Sequence, residues 1–140
     1  MIVLDTNVVS EVVKISRDPK VLGWLNQQSA ETLYLTATSL SEILTGIEIL
    51  PVGKRKDGLN TALGQLIAKL FGSRILPFDK DAAAANASLV GKARAAGTVV
   101  SIQDAQIAAI AHVHGFSVAT RDITPFAALG VSVINPWDIR

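Results

Sequence analysis

Four carboxylates stand where apolar runs of the sequence end or where the next helical pattern begins. Carboxylates that are held close together repel one another and raise each other's pKa unless a cation neutralises them. Oxygen-only ligands suit hard cations, so the set predicts a site for Mg²⁺, with Mn²⁺ as an alternative, rather than for zinc. A divalent ion at such a site polarises a phosphoryl oxygen and activates water, which is the chemistry of phosphodiester hydrolysis. The four acids are Asp5, Glu42, Asp104 and Asp122.

The same acids also have a purely structural interpretation. Glu42 and Asp104 each stand three residues after a serine, Ser39 and Ser101, which matches the capping box at a helix N-terminus. The other two acids are of the type that caps a helix or interacts with its dipole. The capping interpretation does not by itself account for the fact that four of the twelve acids fall at one edge of the predicted fold. The residues alone leave the metal-site and capping interpretations open.

The apolar pattern alternates short strand-like runs with longer helical stretches. This alternation predicts an α/β fold with a central parallel β-sheet of about five strands and helices on both faces, in a single domain over residues 1–140. Sites in such folds lie beyond the carboxyl ends of the strands, where the four acids fall. The predicted strands cover 2–4, 33–35, 74–78, 116–119 and 131–134. The predicted helices cover 8–16, 19–28, 38–50, 54–70, 79–96 and 102–113.

Composition narrows the class of protein. Hydrophobic residues make up 49% of the 140 residues and charged residues 18%, which excludes intrinsic disorder. Cysteine is absent, which excludes disulfides, zinc–thiolate sites and cysteine nucleophiles. No run of 18 apolar residues occurs, so we expect a cytoplasmic protein with no membrane association. The net charge of +1 argues against a strongly basic nucleic-acid binder. If the four acids are concentrated in one site and neutralised there, however, the rest of the chain is basic, which suits binding of RNA.

Motifs along the whole chain resemble those of PIN-domain nucleases, and within that family the VapC toxins of the FitB-like branch. The second acidic motif is Ser-Leu-Ser-Glu-Ile-Leu-Thr-Gly at 39–46, and a familiar connecting segment is Ile-Leu-Pro-Phe-Asp at 75–79. The motifs occur in the family's order, which is more specific than any one of them. The others are Ile-Val-Leu-Asp-Thr-Asn-Val-Val-Ser at 2–10, Ser-Ile-Gln-Asp-Ala-Gln-Ile-Ala-Ala at 101–109, Val-Ala-Thr-Arg-Asp at 118–122 and Val-Ile-Asn-Pro-Trp at 133–137.

The resemblance implies a Mg²⁺- or Mn²⁺-dependent endoribonuclease that is the toxin of a type II toxin–antitoxin module. It implies an RNA substrate, homodimerisation, and inhibition by a small VapB- or FitA-like antitoxin that brings the complex to operator DNA. The family's acidic set maps onto Asp5, Glu42, Asp104 and Asp122. Many relatives have Asn at position 122 and an acid three residues later, where this chain has Pro125. Asp122 therefore contacts the metal either directly or through water.

Four polar residues beside the acids are candidates for supporting roles. Thr6 and Asn7 are expected to cap a helix and orient the preceding acid, as residues behind metal ligands do. Thr120 either bonds a carboxylate or is an ordinary strand-end threonine. Arg121 either holds a phosphate or pairs with a neighbouring acid. Trp137 is interpreted as an anchor for the C-terminal segment rather than a surface for base stacking.

Other α/β proteins with strand-end acids fit the sequence less well. A receiver domain needs paired acids after the first strand, and a haloacid-dehalogenase-type phosphatase needs a second Asp where Asn7 stands. A P-loop enzyme is excluded because no G-x-x-x-x-G-K-[ST] motif occurs. Two alternatives stay open: a catalytically inactive PIN-like binding protein, and another Mg²⁺-dependent phosphate-handling α/β domain.

Overall fold

Five short parallel strands form the centre of the computed structural model, which describes residues 1–139. Their order in the sheet is β3-β2-β1-β4-β5, as the sequence pattern predicted in number and direction. Because the chain runs outward from β1 to β3 and then crosses to β4, the winding direction reverses beside β1. A crevice opens at the carboxyl ends of the strands at such a reversal. The strands are β1 (Ile2–Leu4), β2 (Leu33–Thr36), β3 (Ile75–Leu76), β4 (Ser117–Ala119) and β5 (Val133–Ile134).

In the part of the chain that the structure describes, seven α-helices cover the two faces of the sheet. Successive strand residues point to opposite faces, so Val3 joins the core beneath α5, α6 and α7, and Leu4 joins the core beneath α1 to α4. Within residues 1–139 no helix is long and apolar enough to cross a bilayer. The helices are α1 (Thr6–Val13), α2 (Pro19–Asn26), α3 (Ala37–Glu48), α4 (Lys54–Leu66), α5 (Lys80–Ala95), α6 (Ile102–His114) and α7 (Ile123–Ala128).

Helix α6 is fixed at both ends and is buried over its middle, at Ala105 and from Ile107 to Ala111. The Ser101 hydroxyl accepts a hydrogen bond from the Asp104 N–H at 3.1 Å, which caps the first turn. Gly115 ends the helix in the left-handed region, at φ 70°, where a residue without a Cβ is favoured. Small side chains such as the fully buried Ala108 fill the space around it. The helix therefore holds Asp104 at the sheet edge on a rigid support.

Several boundaries differ from the predicted ones. Helix α1 begins at Thr6 rather than at residue 8, because Asp5 is its N-cap. The predicted helix 54–70 changes character after Leu66, where Ile67–Phe71 forms one π-helical turn. The strands predicted at 74–78 and 131–134 shorten to two residues each, since both lie at the sheet edges and pair on one side only. None of these differences moves an acid away from the carboxyl edge.

Candidate active site

The four predicted acids line one open pocket of about 410 Å³ at the carboxyl edge of the sheet. Each comes from a different place in the chain. Asp5 lies between β1 and α1, and Asp122 lies between β4 and α7. Glu42 lies on α3, and Asp104 lies on the first turn of α6. The fold thus brings together side chains that are more than a hundred residues apart in sequence.

Asp5 is the most buried of the four acids. Its Oδ1 accepts a hydrogen bond from the Thr6 N–H at 2.7 Å, and its Oδ2 accepts one from the Thr120 hydroxyl at 2.8 Å. Burial raises the pKa of Asp5 to about 6, and repulsion from Asp104 and Glu42 adds to the rise, while the two hydrogen bonds oppose it. The carboxylate is therefore fixed in direction and held in an environment that disfavours its charge.

Glu42 is part of the pocket and not of a capping box. The N-cap of α3 is Thr36, whose hydroxyl accepts from the Ser39 N–H at 3.0 Å, so Ser39 lies inside the helix and Glu42 in its second turn. The Thr6 hydroxyl donates to Glu42 Oε1 at 3.2 Å and lies 3.1 Å from the Ser39 hydroxyl. Burial raises the pKa of Glu42, the Thr6 bond lowers it, and repulsion from Asp104 raises it further. The capping interpretation is wrong for this acid.

Asp104 faces the pocket from the capped end of α6, whereas Asp122 lies at the rim of the pocket. The Ser101 cap of α6 is present, yet the Asp104 carboxylate faces the pocket. Burial raises the pKa of Asp104, a hydrogen bond from the Ser101 side chain to its carboxylate lowers it, and repulsion from Asp122 raises it further. Asp122 is exposed and precedes α7 without a side-chain capping bond in the described residues. Its carboxylate is thus available to the pocket, at the outer rim.

Thr120 connects the strands and helices that carry the acids. Its fully buried hydroxyl donates to Asp5 and accepts from Asn7 Nδ2 at 3.3 Å and from the Asp122 N–H at 3.0 Å. Asn7 Oδ1 in turn accepts from the Arg121 N–H at 3.3 Å. Of the two interpretations of Thr120, the bond to a carboxylate is the one present. The expectation that Thr6 and Asn7 cap a helix is wrong. Asp5 is the N-cap of α1, and Thr6 and Asn7 both lie inside the helix.

Three pocket residues were not predicted from the sequence: Ser10 and Glu11 on α1, and Lys14 at its C-cap. Glu11 is buried, pairs with Lys14 Nζ at 3.3 Å and accepts a hydrogen bond from the Asp18 N–H at 3.3 Å. Both Glu11 and Lys14 line the pocket. The signal was present: with Asn7 and Ser10 they form a polar stripe at spacings of three and four along an otherwise apolar helix.

The outer wall of the pocket carries a cation stacked on an aromatic ring. The Arg121 guanidinium lies 5.2 Å from the centre of the Trp137 ring, and both residues line the pocket. Two ion pairs form within residues 1–139, and neither includes Arg121. The ion-pair interpretation of Arg121 is therefore wrong for the described residues.

The donor set suits a hard divalent cation that keeps part of its hydration shell. All four acids supply oxygen, and the shared rise of pKa in three of them is relieved by added positive charge. Within residues 1–139, no three acidic or histidine side chains are arranged to hold one ion directly. Mg²⁺ is commonly bound by one or two carboxylates with water completing the shell, so this spacing fits it.

A PIN-domain family model matches residues 2–131, nearly the whole chain. The chain belongs to the PIN-domain family. A VapC ribonuclease, Y4jK of Sinorhizobium fredii, is 47% identical over 139 residues and covers 99% of each chain. Toxin FitB of Neisseria gonorrhoeae is 42% identical over 137 residues, which is 98% of this chain and 99% of FitB. The predicted family is confirmed.

A solved structure of FitAB bound to an IR36 DNA fragment contains a chain that superposes on this PIN-domain protein with a TM-score of 0.94. The two are 40% identical, and the match covers 100% of this chain and 98% of the other. The predicted α/β fold with a five-stranded parallel sheet is confirmed by that match and by the sheet itself.

Proposed function

We propose that this PIN-domain protein is a metal-dependent endoribonuclease and the toxin of a type II toxin–antitoxin module. The observation that carries the proposal is the convergence of Asp5, Glu42, Asp104 and Asp122 on one pocket in a chain with VapC ribonuclease and FitB toxin relatives. A catalytically inactive PIN-like protein would not need to retain four acids under mutual repulsion, since that repulsion opposes folding.

The proposed reaction is in-line attack of water on an RNA phosphodiester. Asp5, Glu42 and Asp104 would hold a divalent cation, Mg²⁺ or Mn²⁺, in part through water, and the cation would neutralise the phosphate and lower the pKa of bound water. The chain's own residues fix the geometry: Thr120 and the Thr6 N–H orient the Asp5 carboxylate, and the Thr6 hydroxyl orients Glu42.

Asp122 has a different role in this proposal because it is exposed at the rim of the pocket. A rim carboxylate can accept a proton or a hydrogen bond from a water molecule that approaches the phosphate. We therefore assign Asp122 to the positioning of water.

We further propose that one nuclease domain over residues 1–140 works in the cytoplasm as a homodimer and binds a small VapB- or FitA-like antitoxin that brings it to operator DNA. The structure of FitAB bound to a DNA fragment supports the partner-protein and DNA parts of this proposal. Ile49 and Ile102 are 78% and 73% exposed and line one groove between α3 and α6, which supports a self-association face there.

The test of the nuclease is cleavage of RNA by the purified chain and by Asp5→Asn with MgCl₂ or MnCl₂ present. We expect Asp5→Asn to lose at least about 100-fold in rate, because the substitution removes the charge of the most buried acid of the site. Asp81→Asn is the matched control, since Asp81 is exposed on the first turn of α5 and does not line the pocket. Equal, metal-independent cleavage by wild type and Asp5→Asn would refute the proposal, and no cleavage by wild type would favour the inactive-protein alternative.

A further inference from the structure

We propose that Arg121 and Trp137 form a binding platform for single-stranded RNA beside the acids, with Arg121 on a phosphate and the Trp137 ring against a base. This inference rests on the proposed nuclease function. It assigns to Trp137 a role in the reaction, where the sequence pattern indicated an anchor only.

The first observation is the charge of Arg121. The side chain is exposed, lines the acidic pocket, and takes part in neither of the two ion pairs found within residues 1–139. Asp122 is its sequence neighbour and also lines the pocket, yet the guanidinium stacks on Trp137 instead of pairing with it. The positive charge is therefore directed to the pocket and is available to an external anion.

The second observation is that both partners are held by their backbones. The Arg121 N–H donates to Asn7 Oδ1, which ties it to the start of α1. The Trp137 N–H donates to Asn135 Oδ1 at 3.0 Å, and Pro136 beside it is buried. The Trp137 side chain packs against the core that contains Leu4 but is partly exposed, so part of it remains open to the pocket. A pair that is fixed in advance loses little conformational entropy when it binds a ligand.

The two side chains offer groups that match a phosphate and a base of RNA. A guanidinium that stacks on an indole keeps the N–H groups at its edge free, and these match the oxygens of a phosphate in a bidentate contact. Indole and guanidinium planes also stack on unpaired bases with little dependence on sequence. Bases inside a duplex do not offer their faces, so the platform favours single-stranded RNA.

The kinetic test compares Arg121→Gln and Trp137→Leu with the conservative Arg121→Lys and Trp137→Phe, using Arg94→Gln as the control. Arg94 is exposed in the last turn of α5 and does not line the pocket. We expect Arg121→Gln to raise KM about 10-fold or more, since it removes hydrogen bonds to a charged group. Trp137→Leu is expected to raise KM by a similar factor and Trp137→Phe by less, because phenylalanine still stacks. Unchanged KM in both non-conservative variants would overturn the inference.

The binding test separates this inference from the proposed function. A pool of random RNA 12-mers is titrated into the folded protein with divalent ions chelated, which stops the proposed metal-dependent cleavage, while the tryptophan fluorescence is followed. Trp24 is buried and Trp137 is partly exposed at the pocket, so we expect quenching that disappears in Trp137→Phe. Arg121→Gln should weaken binding and reduce the salt dependence by about one counterion. If wild type binds and Arg121→Gln and Trp137→Leu bind equally well, the platform is refuted and the nuclease is not. If wild type neither binds nor cleaves RNA, both fail together.

Discussion

Replacing Thr120 with valine should destabilise the protein in a pH-dependent way. Valine keeps the shape of threonine but removes the hydroxyl that donates to Asp5 Oδ2 at 2.8 Å. A hydrogen bond to a charged group contributes about 1.5–3 kcal/mol, which is equivalent to a further rise of one to two units, roughly, in the pKa of Asp5. Its loss leaves a buried carboxylate oxygen without that partner.

The pKa of Asp5 sets the direction in which stability changes with pH, because it is about 6 in the folded chain and 3.8 in the unfolded chain. A raised pKa means that the folded chain holds this proton more tightly than the unfolded chain, so stability falls as pH rises from about 4 to about 6. Over that window the loss in wild type amounts to about 3 kcal/mol. In Thr120→Val the fall continues to about pH 7 or 8, so the variant and wild type differ least near pH 5 and most near pH 8.

The assay is urea unfolding of both proteins at pH 5 and pH 8 with divalent ions chelated. We expect the destabilisation by Thr120→Val to be larger at pH 8 by about 1.5–3 kcal/mol. Any loss that persists at pH 5 reports the N–H donors of Asn7 and Asp122, which share the same hydroxyl as acceptor. Thr120→Ser keeps the hydroxyl and should follow wild type at both pH values. Equal destabilisation at the two pH values would refute the idea that Thr120 supports the charged form of Asp5.

Two further predictions concern the metal and the core. Adding MnCl₂ should raise the Tm of wild type more at pH 8 than at pH 5, because a proton competes with the metal for Asp5 below about pH 6. Glu42→Gln should reduce this rise in Tm. Asp57→Asn, at an exposed position on α4, should leave the rise unchanged. A shift that is independent of pH and of Glu42 would argue against these ligands. Ala108→Leu should cost about 1–3 kcal/mol in urea unfolding because Ala108 is fully buried on α6, whereas Ala84→Leu on the exposed side of α5 should be nearly neutral. A neutral Ala108→Leu would show that the core around α6 has unfilled space.

The order of strands and helices could be predicted because apolar periodicity and cap residues agree along most of the chain. Asp5 follows an apolar run, and Ser101 stands three residues before Asp104, so both positions could be placed at element ends. The convergence of the acids followed from one rule about parallel sheets. Boundaries were less predictable, since whether Ser39 or Thr36 caps α3 depends on where β2 stops pairing.

The hydrogen-bond network around the acids could not be predicted because it depends on contacts between distant segments. Thr120 could be weighed only as a bond to a carboxylate or an ordinary strand residue until β4 was paired with β1. The stacking of Arg121 on Trp137 likewise joins the β4–α7 connection to the turn that follows β5. Glu11 lies on a visible polar stripe, but its approach to the pocket depends on how α1 leaves the sheet.

The bond between Thr120 and Asp5 has a consequence for protein synthesis. It joins residues 115 positions apart, and β1 pairs with β4 alongside it. A ribosome therefore releases the segment that carries the first acid long before the segment that holds that acid in place. Chains that stop before β4 contain three of the four acids and neither the central strand pair nor the hydroxyl that orients Asp5. The proposed nuclease would thus acquire its oriented Asp5 carboxylate only near the end of translation, and chains that stop before β4 would lack it.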